Sequence, residues 1–364
     1  MRILNISTPV LDGYHSYFGG ASGHIIYCMF KALSRYVTLH TLLLDSNAEL
    51  PFTYTKVSHS VNSLFFLKYK RLISKLIAKY HPDVITHFYF HETEFNPVVT
   101  NLTSNFIIGM VELPHIRLPD ELTTIDRIKK LMRPIALRLT DETIKKASKI
   151  VVVNEGAKQY YSKYTDEIEV IPYGVDHQLF KYVPLPENKN VVVVSRLIKR
   201  RGVHYIIQAL SGVIKYHKDV VLHIVGSGSM KSTLEHLACK NNLAVVFHNN
   251  VTINKLKQIF ANSYVFCHFS MSDGWNQPAL EAMSVGRPVI CTNAPFNSMV
   301  KHEKTGFLVD FPDVKTLADY FIYLFDDQDE ARRMGKNSRK EVLKNYDWDK
   351  IAKQYVGVFE EVIR

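Results

Sequence analysis

The stretch YVFCHFSMSDGWNQPALEAMSVGRPVICT, residues 264–292, contains a strand–helix–strand unit and decides the fold class. Apolar runs open and close it, as is typical of strands that are buried on both faces of a parallel sheet. Pro278 suits the first turn of a helix and Gly286 suits its C-terminal cap. Asp273 precedes this helix and Glu281 lies about one turn inside it, which raises the question of what two acids do at this end of a helix.

The same alternation of apolar runs and amphipathic segments extends to both ends of the chain. It predicts an α/β fold of doubly wound layers, in two series that each form a Rossmann-like domain. The predicted strands are RILNIS, VTLHTLLL, DVITHF, NFIIGMV, KIVVVN and IEVIPYG in the first half, and NVVVVSRL, DVVLHIVG, AVVFHN, SYVFCHFS, RPVICT and GFLVD in the second.

The length of 364 residues exceeds what one hydrophobic core usually serves. The aperiodic segment HQLFKYVPLPENKN, residues 177–190, is the best boundary. We expect an N-terminal domain over residues 1–178 and a C-terminal domain over residues 188–345. Residues 346–364 form a helix, with Asp347 as its N-cap and an apolar stripe that packs back on the first domain. The stripe consists of Trp348, Ile351, Tyr355 and Phe359.

Composition limits the classes of function. Apolar residues make up 46% and charged residues 22% of the chain, and no apolar run reaches the length of a membrane span. The N-terminal run turns polar too quickly for a secretory signal, so the expected compartment is the cytoplasm. Cysteines and histidines show no metal-binding spacing, and Cys267 and Cys291 read as core residues. The net charge of +10 favours an anionic partner: nucleic acid, a membrane surface or a small ligand.

Four loops after predicted strands carry residues that suit an anionic ligand. They are Gly19 and Gly20; Arg196, Lys199, Arg200 and Arg201; Gly226 and Gly228; and Asp273 and Glu281. Each has a plainer explanation, namely turn chemistry, a solvated basic loop, or helix capping. Capping explains part of the placement of Glu281 but not Asp273, eight positions earlier. Because ligands of doubly wound sheets bind beyond the carboxyl ends of strands, the four loops predict a nucleotide in the cleft between the domains.

With these residues, the chain resembles the retaining GT-B glycosyltransferases of family 4, the glycosyl transferases group 1. DGWNQPALE matches the E-x7-E element of the family, with Asp273 in the place of the first glutamate. RLIKRRG matches its R-L-x3-K-G element, with Arg201 where lysine is usual. IPYGVDHQLF is similar to I-P-N-G-V-D-x3-F, with Tyr173 at the asparagine position. The likeness covers nearly the whole chain.

The resemblance implies a site for a nucleotide-diphosphate sugar, linked to UDP or GDP. Arg196 and Arg201 would hold the diphosphate and stabilise the leaving group, Glu281 would bind the ribose, and Asp273 would face the sugar hydroxyls. The remaining donor-binding residues that it implies are Gly19, Gly20, Gly228, Gly274, Trp275, Asn276 and Gln277. On the acceptor side the family usually has a histidine, where this chain has Glu112 with His115 nearby.

Transfer cleaves an anomeric C–O bond, and negative charge grows on the diphosphate. Two arginines and helix N-termini can stabilise that charge, so we expect neither a metal ion nor a cofactor. The DWD at 347–349 looks like a metal-binding motif, but it opens the terminal helix. Retention of anomeric configuration is implied by the resemblance alone, and neither Asp273 nor Glu281 is assigned as a nucleophile.

The first domain is expected to bind the acceptor, a glycan, a lipid or another hydroxyl compound. Residues 67–80 and 127–149 are basic and amphipathic, so either could pack on the sheet or contact anionic lipid, at the inner face of a membrane. A phosphorylase or hydrolase on a similar fold is the alternative enzyme. Nucleic-acid binding is disfavoured, because the cations cluster at loops and helices without interleaved aromatic residues.

Overall fold

The computed structural model of the protein describes residues 1–6, 21–44, 52–57, 64–88, 105–111 and 144–364. The first half of the chain forms a parallel sheet with the strand order β3-β2-β1-β4-β5-β6-β7. Its strands are β1 (Arg2–Asn5), β2 (Thr38–Leu44), β3 (Thr53–Val57), β4 (Val84–Phe88), β5 (Phe106–Val111), β6 (Lys149–Val152) and β7 (Ile168–Val170). The described helices of this half are α1 (Ala21–Leu33), α2 (Leu64–Tyr80) and α3 (Glu155–Tyr161).

The second half forms another parallel sheet, with the order β10-β9-β8-β11-β12-β13. Its strands are β8 (Asn190–Val194), β9 (Val221–Val225), β10 (Ala244–His248), β11 (Val265–His268), β12 (Val289–Thr292) and β13 (Gly306–Val309). Its helices are α4 (Val203–Val213), α5 (Lys231–Lys240), α6 (Ile253–Ala261), α7 (Gln277–Val285), α8 (Val314–Asp326) and α9 (Gln328–Asn345), followed by α10 (Trp348–Ile363). The prediction of two doubly wound α/β layers is confirmed.

The strands form because their apolar runs are buried on both faces. Every residue of β4, β6, β11 and β12 is buried. Cys267 and Cys291 are fully buried on neighbouring strands, as predicted for core residues. The strand β3, TYTKV, was not predicted: it lies at a sheet edge, and its alternating polar residues lack the apolar run that marks the others.

The segment between the sheets is fixed by two arginines of the second half. Arg287 is fully buried, and its guanidinium donates to the carbonyl oxygens of Val183, Pro184 and Ser263. Arg339 donates to the carbonyl oxygens at positions 177 and 180. A guanidinium presents five donors, so one arginine can satisfy several carbonyl groups of an irregular segment. The aperiodic stretch at 177–190 therefore has its backbone tied to the second half.

The helix α10 returns to the first half. Asp347 caps it by accepting from the amides of Asp349 and Lys350, and the predicted apolar stripe of Trp348, Ile351, Tyr355 and Phe359 is buried. The helix contacts α1 and β4, and the Lys149 ammonium of β6 lies 2.6 Å from a carboxylate oxygen of Glu361. The proposed domain limits stay predictions. Among the described helices, none has both the length and the apolar character that crossing a bilayer requires.

Candidate active site

The strand order gives each sheet one topological switch point. In the second sheet β8 lies between β9 and β11, so the chain leaves β8 in one direction and β11 in the other. Ligands of doubly wound sheets bind at such a switch point, outside the carboxyl ends of the strands. The loop after β8 carries Arg196 and Arg201, and the loop after β11 carries Asp273. The fold therefore brings together the basic and acidic loops that the sequence singles out.

The first of these loops turns sharply at Gly202. Residues Lys199–Arg201 form a short 3-10 helix, and Gly202 then adopts a φ of +64° before α4 begins. A Cβ at this position would overlap the carbonyl oxygen of Phe269, at the end of β11. Glycine is required for two reasons. Other residues are strained at positive φ, and a Cβ would have no space beside the Phe269 carbonyl oxygen. The close approach presses the basic turn against the acidic loop.

Arg200 holds the two loops together. It is 2% exposed, and its guanidinium donates to the carbonyl oxygen of Ser272 over 2.9 Å. Its own carbonyl accepts from the amide of Met271 at 2.9 Å and from the hydroxyl of Ser270 at 3.3 Å. One of the cations of the basic loop therefore supports the loop geometry.

Arg201 forms an ion pair with Asp273, and both side chains are buried to about nine-tenths, with 9% and 12% exposed. The Asp273 carboxylate also lies 3.4 Å from Nε2 of His268, the last residue of β11. Its other oxygen accepts from the amide of Gly274 over 2.9 Å. The expected sugar-facing acid is thus held at the switch point by Arg201 and the amide of Gly274, with the imidazole of His268 3.4 Å away.

Arg196 differs from Arg201 in its environment, because it is exposed. It lies beside the glycine loop that follows β9. In that loop, Ser227 accepts from the amide of Leu197, and Leu197 accepts from the amide of Met230, both over 2.8 Å. A Cβ on Gly228 would overlap the backbone of Leu197. Gly228 is therefore needed to pack the loop after β9 against the loop that presents Arg196, whatever contact it makes with a donor.

Glu281 lies inside α7, whose start is fixed by Asn276. The Asn276 side-chain oxygen accepts from the amide of Ala279, and its side-chain nitrogen donates to Asn297 over 2.7 Å. Pro278 and Gly286 occupy the predicted ends of the helix, with Gly286 at a φ of +90°. Glu281 is 1% exposed. Because α7 follows the loop after β11, its N-terminus and the positive end of its dipole lie at the switch point.

The two halves of the molecule meet at the acidic loop. Asn154, which caps α3 after β6, donates to the carbonyl oxygen of Gly274 over 3.2 Å. Gln277 donates to the carbonyl oxygen of Gly174 over 3.1 Å. Trp275 is 6% exposed, and its ring centre lies 5.8 Å from that of Tyr173. Trp275, Asn276 and Gln277, which the resemblance assigns to the donor, thus use their side chains in contacts within the protein.

Three contributors to this arrangement were missed by the sequence reading: His268, Asn154 and Asn297. Asn154 carried a usable signal, because asparagine directly after a strand and before a helix is a typical N-cap. His268 and Asn297 gave none, since their contacts depend on which strands become neighbours. Gly19, Gly20, Glu112 and His115 lie outside the described residues, as do positions 127–143 of the second basic segment. Within the described residues, no cluster of His, Cys, Asp or Glu has the size of a metal site.

The sequence of this region matches a known family. Residues 176–341 match the family model described as "Glycosyl transferases group 1". This match covers a little under half of the 364 residues. The matched residues include the basic loop, the glycine loop and the acidic loop of the switch point.

Curated relatives agree with this match. The chain is 28% identical to spore coat protein SA of Bacillus subtilis over 59% of each chain. It is 32% identical to a GDP-mannose-dependent alpha-(1-6)-phosphatidylinositol monomannoside mannosyltransferase of Mycobacterium tuberculosis, over 51% of this chain and 54% of the relative. The chain therefore spans a little over half the length of these relatives.

A solved structure supports the GT-B fold of the whole chain. HepE of Anabaena in complex with UDP superposes with a TM-score of 0.74, covering 99% of this chain and 100% of that one, at 17% identity. At this identity the likeness concerns the fold alone. The predicted GT-B architecture, with two Rossmann-like layers, is confirmed.

Proposed function

We propose that the protein is a retaining, metal-independent glycosyltransferase that moves a hexose from a nucleoside-diphosphate sugar to a hydroxyl acceptor. The observation that carries the proposal is the meeting of Arg201, Asp273 and the start of α7 at the switch point of the second sheet. This arrangement combines cationic donors for a diphosphate with carboxylates for hydroxyl groups. The match to the glycosyl transferase family model supports the reaction class.

The roles follow from charge and position. Arg196 and Arg201 bind the diphosphate and stabilise the negative charge that develops as the anomeric C–O bond breaks. The N-termini of α4 and α7 add their dipoles. Glu281 accepts from the ribose hydroxyls and Asp273 from the sugar. Gly228 and the loop Gly274–Gln277 line the donor, and Gly19 and Gly20 close the site from the first half.

We assign no nucleophile to this reaction. The Asp273 carboxylate already pairs with Arg201 and accepts from the amide of Gly274, and such contacts reduce the electron density available for attack. Retention then requires attack by the acceptor on the face that the diphosphate leaves. A metal ion is not needed when fixed cations neutralise the leaving group, so transfer is expected to continue in excess EDTA. Loss of transfer in EDTA would contradict this part of the proposal.

The decisive experiment is a thermal-shift panel with UDP, GDP, ADP and their common sugar derivatives. Mannosyltransferase relatives use GDP-mannose and a structural neighbour binds UDP, so both bases belong in the panel. We expect one diphosphate to raise the melting temperature by several degrees at saturating concentration, because ligands that bind only the folded state stabilise it. An unchanged melting temperature with every nucleotide would contradict the proposal.

The acceptor, a glycan or a lipid-linked compound, is assigned to the first half, with Glu112 and His115 as candidate contacts.

The α2 helix gives a reason to test a membrane surface as well. Within α2, Ile73 and Leu76 are buried, whereas Arg71, Lys75 and Lys79 are exposed. We propose that these cations hold a cytoplasmic enzyme at anionic lipid. Sedimentation with anionic liposomes is expected to be salt-sensitive and to weaken in the triple alanine variant; no sedimentation would contradict it.

A further inference from the structure

We propose that His268 is a positioning residue that keeps the Asp273 carboxylate in place when a donor diphosphate engages Arg201. The inference rests on the proposed function, because it assigns a task within that donor site. His268 belongs to no motif of the resemblance and is buried at the end of β11. It touches the carboxylate and not the expected path of the donor, so its action passes through Asp273.

The ring of His268 has a fixed orientation. It is 3% exposed, and it packs edge-on against Phe296 with ring centres 6.0 Å apart. Its Nε2 points to Oδ2 of Asp273 over 3.4 Å. Its Nδ1 is buried and has no hydrogen-bonding partner among the described residues. Asp273 is thus the polar group that this ring is aimed at.

The protonation state follows from the surroundings. Burial, and after it the positive charge of Arg201, lowers the pKa of His268 to about 3. The ring is therefore neutral at neutral pH and carries one N–H. That proton belongs on Nε2, because an unprotonated Nε2 would set its lone pair against the carboxylate. His268 therefore directs a neutral N–H at Asp273 over 3.4 Å.

The number of donors around Asp273 decides what His268 does. A carboxylate has about four acceptor positions. Arg201 and Gly274 occupy two of them, and the N–H of His268, 3.4 Å away, is directed at a third. About one remains for a hydroxyl of a sugar. A diphosphate attracts the Arg201 cation strongly. It does not attract a buried neutral imidazole in this way. When Arg201 turns to phosphate, His268 and Gly274 still hold the carboxylate toward the sugar.

The short aspartate side chain fits this arrangement. The family usually has glutamate here, and a carboxylate with one methylene fewer stays closer to the backbone at the end of β11. The imidazole of His268 can reach it there. The pair therefore fixes the position of the acid, and with it the geometry available to the donor sugar.

The test compares nucleoside diphosphates with their sugar derivatives by calorimetry, using UDP, UDP-glucose, GDP and GDP-mannose. In the unmodified protein the preferred sugar nucleotide is expected to bind more tightly than its diphosphate. In His268→Leu the sugar nucleotide is expected to weaken at least about fivefold, with the diphosphate within about twofold, because one hydrogen bond to a charged group has been lost. His268→Gln restores the affinity, since its Nε2 has a similar reach.

Two controls make the result specific. His223→Leu removes an imidazole on β9, which is separated from β11 by β8, and is expected to change neither affinity. In an Asp273→Ala background, His268→Leu is expected to have no further effect, because the group it positions is absent. If circular dichroism shows that His268→Leu does not fold, His268→Asn replaces it, since its amide is too short to reach Asp273.

The outcomes separate this inference from the proposed function. A protein that binds none of the nucleotides overturns both. Nucleotide binding with equal losses for diphosphate and sugar nucleotide, or with no loss in His268→Leu, overturns the role of His268 alone. The role of His268 is also overturned if the sugar adds nothing to binding in the unmodified protein. It is overturned as well if His268→Gln does not restore the affinity for the sugar nucleotide.

Discussion

At the scale of single residues, Arg196 and Arg201 share a charge and a proposed ligand but differ in burial. Arg201 pairs with a buried acid, and Arg196 is exposed. Arg201→Ala is expected to lower the free energy of unfolding by about 3 kcal/mol, because it leaves the Asp273 carboxylate buried with one charge unpaired. Arg196→Ala is expected to change it by less than about 0.5 kcal/mol. Urea denaturation of both variants measures the difference.

The same two variants separate stability from catalysis. Each is expected to lower sugar transfer by about a hundredfold or more, well beyond its effect on donor affinity, because the arginines act on charge that develops in the transition state. Equal losses in donor binding and in transfer would mean that the arginines bind the ground state only. Arg201→Lys, which keeps the charge but not the fork of donors, is the matched comparison.

The residues of the site show how far the sequence reaches. The acids, the two arginines and the glycines could be named because their types suit a diphosphate and their positions follow strands. Their pairing could not be predicted, since Arg201 and Asp273 are 72 positions apart and meet only through the order β8-β11. Arg200 illustrates a contact that the sequence does not reveal. Its basic neighbours in the sequence suggested a ligand contact, whereas in the fold its guanidinium donates to the carbonyl oxygen of Ser272.

At the scale of elements, α4 contains a matched pair of glycines. Gly202 begins it at positive φ against the carbonyl of Phe269, whereas a Cβ on Gly212, near its end, meets nothing within 4 Å. Gly202→Ala is expected to destabilise the protein by at least about 2 kcal/mol through strain and overlap. Gly212→Ala is expected to stabilise it by about 0.5–1 kcal/mol, through helix propensity.

Chemical denaturation checks both changes, and a nucleotide titration adds a second readout. Since Gly202 brings the basic turn onto the acidic loop, its alanine variant is expected to lose donor affinity, while Gly212→Ala keeps it. Similar stability in the two variants would show that the turn can relax without cost.

The ends of α7 were predictable from Pro278 and Gly286. The strand β3 was not predictable, because a polar edge strand lacks the apolar signal.

At the scale of the whole molecule, each sheet buries a histidine with a depressed pKa. Burial lowers the pKa of His87 on β4 to about 4 and, with the charge of Arg201, that of His268 on β11 to about 3. In the unfolded chain both would titrate near 6.5, so the unfolded state binds more protons below that pH. The stability that these groups contribute is complete above pH 6.5 and is lost as the pH falls toward 4 and 3.

Acidification from pH 7 to 5 is therefore expected to cost about 3 kcal/mol for the two histidines together. Urea denaturation at several pH values measures the slope. His87→Leu is expected to remove at most about a third of the pH dependence over this range, because burial also lowers the pKa of His40 on β2 to about 4. An unchanged slope in His87→Leu would place the acid sensitivity elsewhere.

The terminal helix α10 joins the second half of the chain to the first. Phe359 is fully buried in it beside Tyr355, with ring centres 6.2 Å apart, and the helix contacts α1 and β4. Phe359→Ala is expected to destabilise the protein by about 3–4 kcal/mol, because it opens a cavity beneath the helix. Glu360→Ala, exposed on the same helix, is expected to change stability by less than about 0.5 kcal/mol.

Hydrogen exchange measures which parts of the protein lose stability in Phe359→Ala. If α10 supports the first half alone, Phe359→Ala should lower protection in α1, β4 and α10, and leave strands β8–β13 as protected as before. Nucleotide binding by the second half should then persist in the variant. A uniform loss of protection across both sheets would contradict this expectation. It would mean that the two halves unfold as one cooperative unit, coupled through the contacts of Asn154 and Gln277 at the acidic loop.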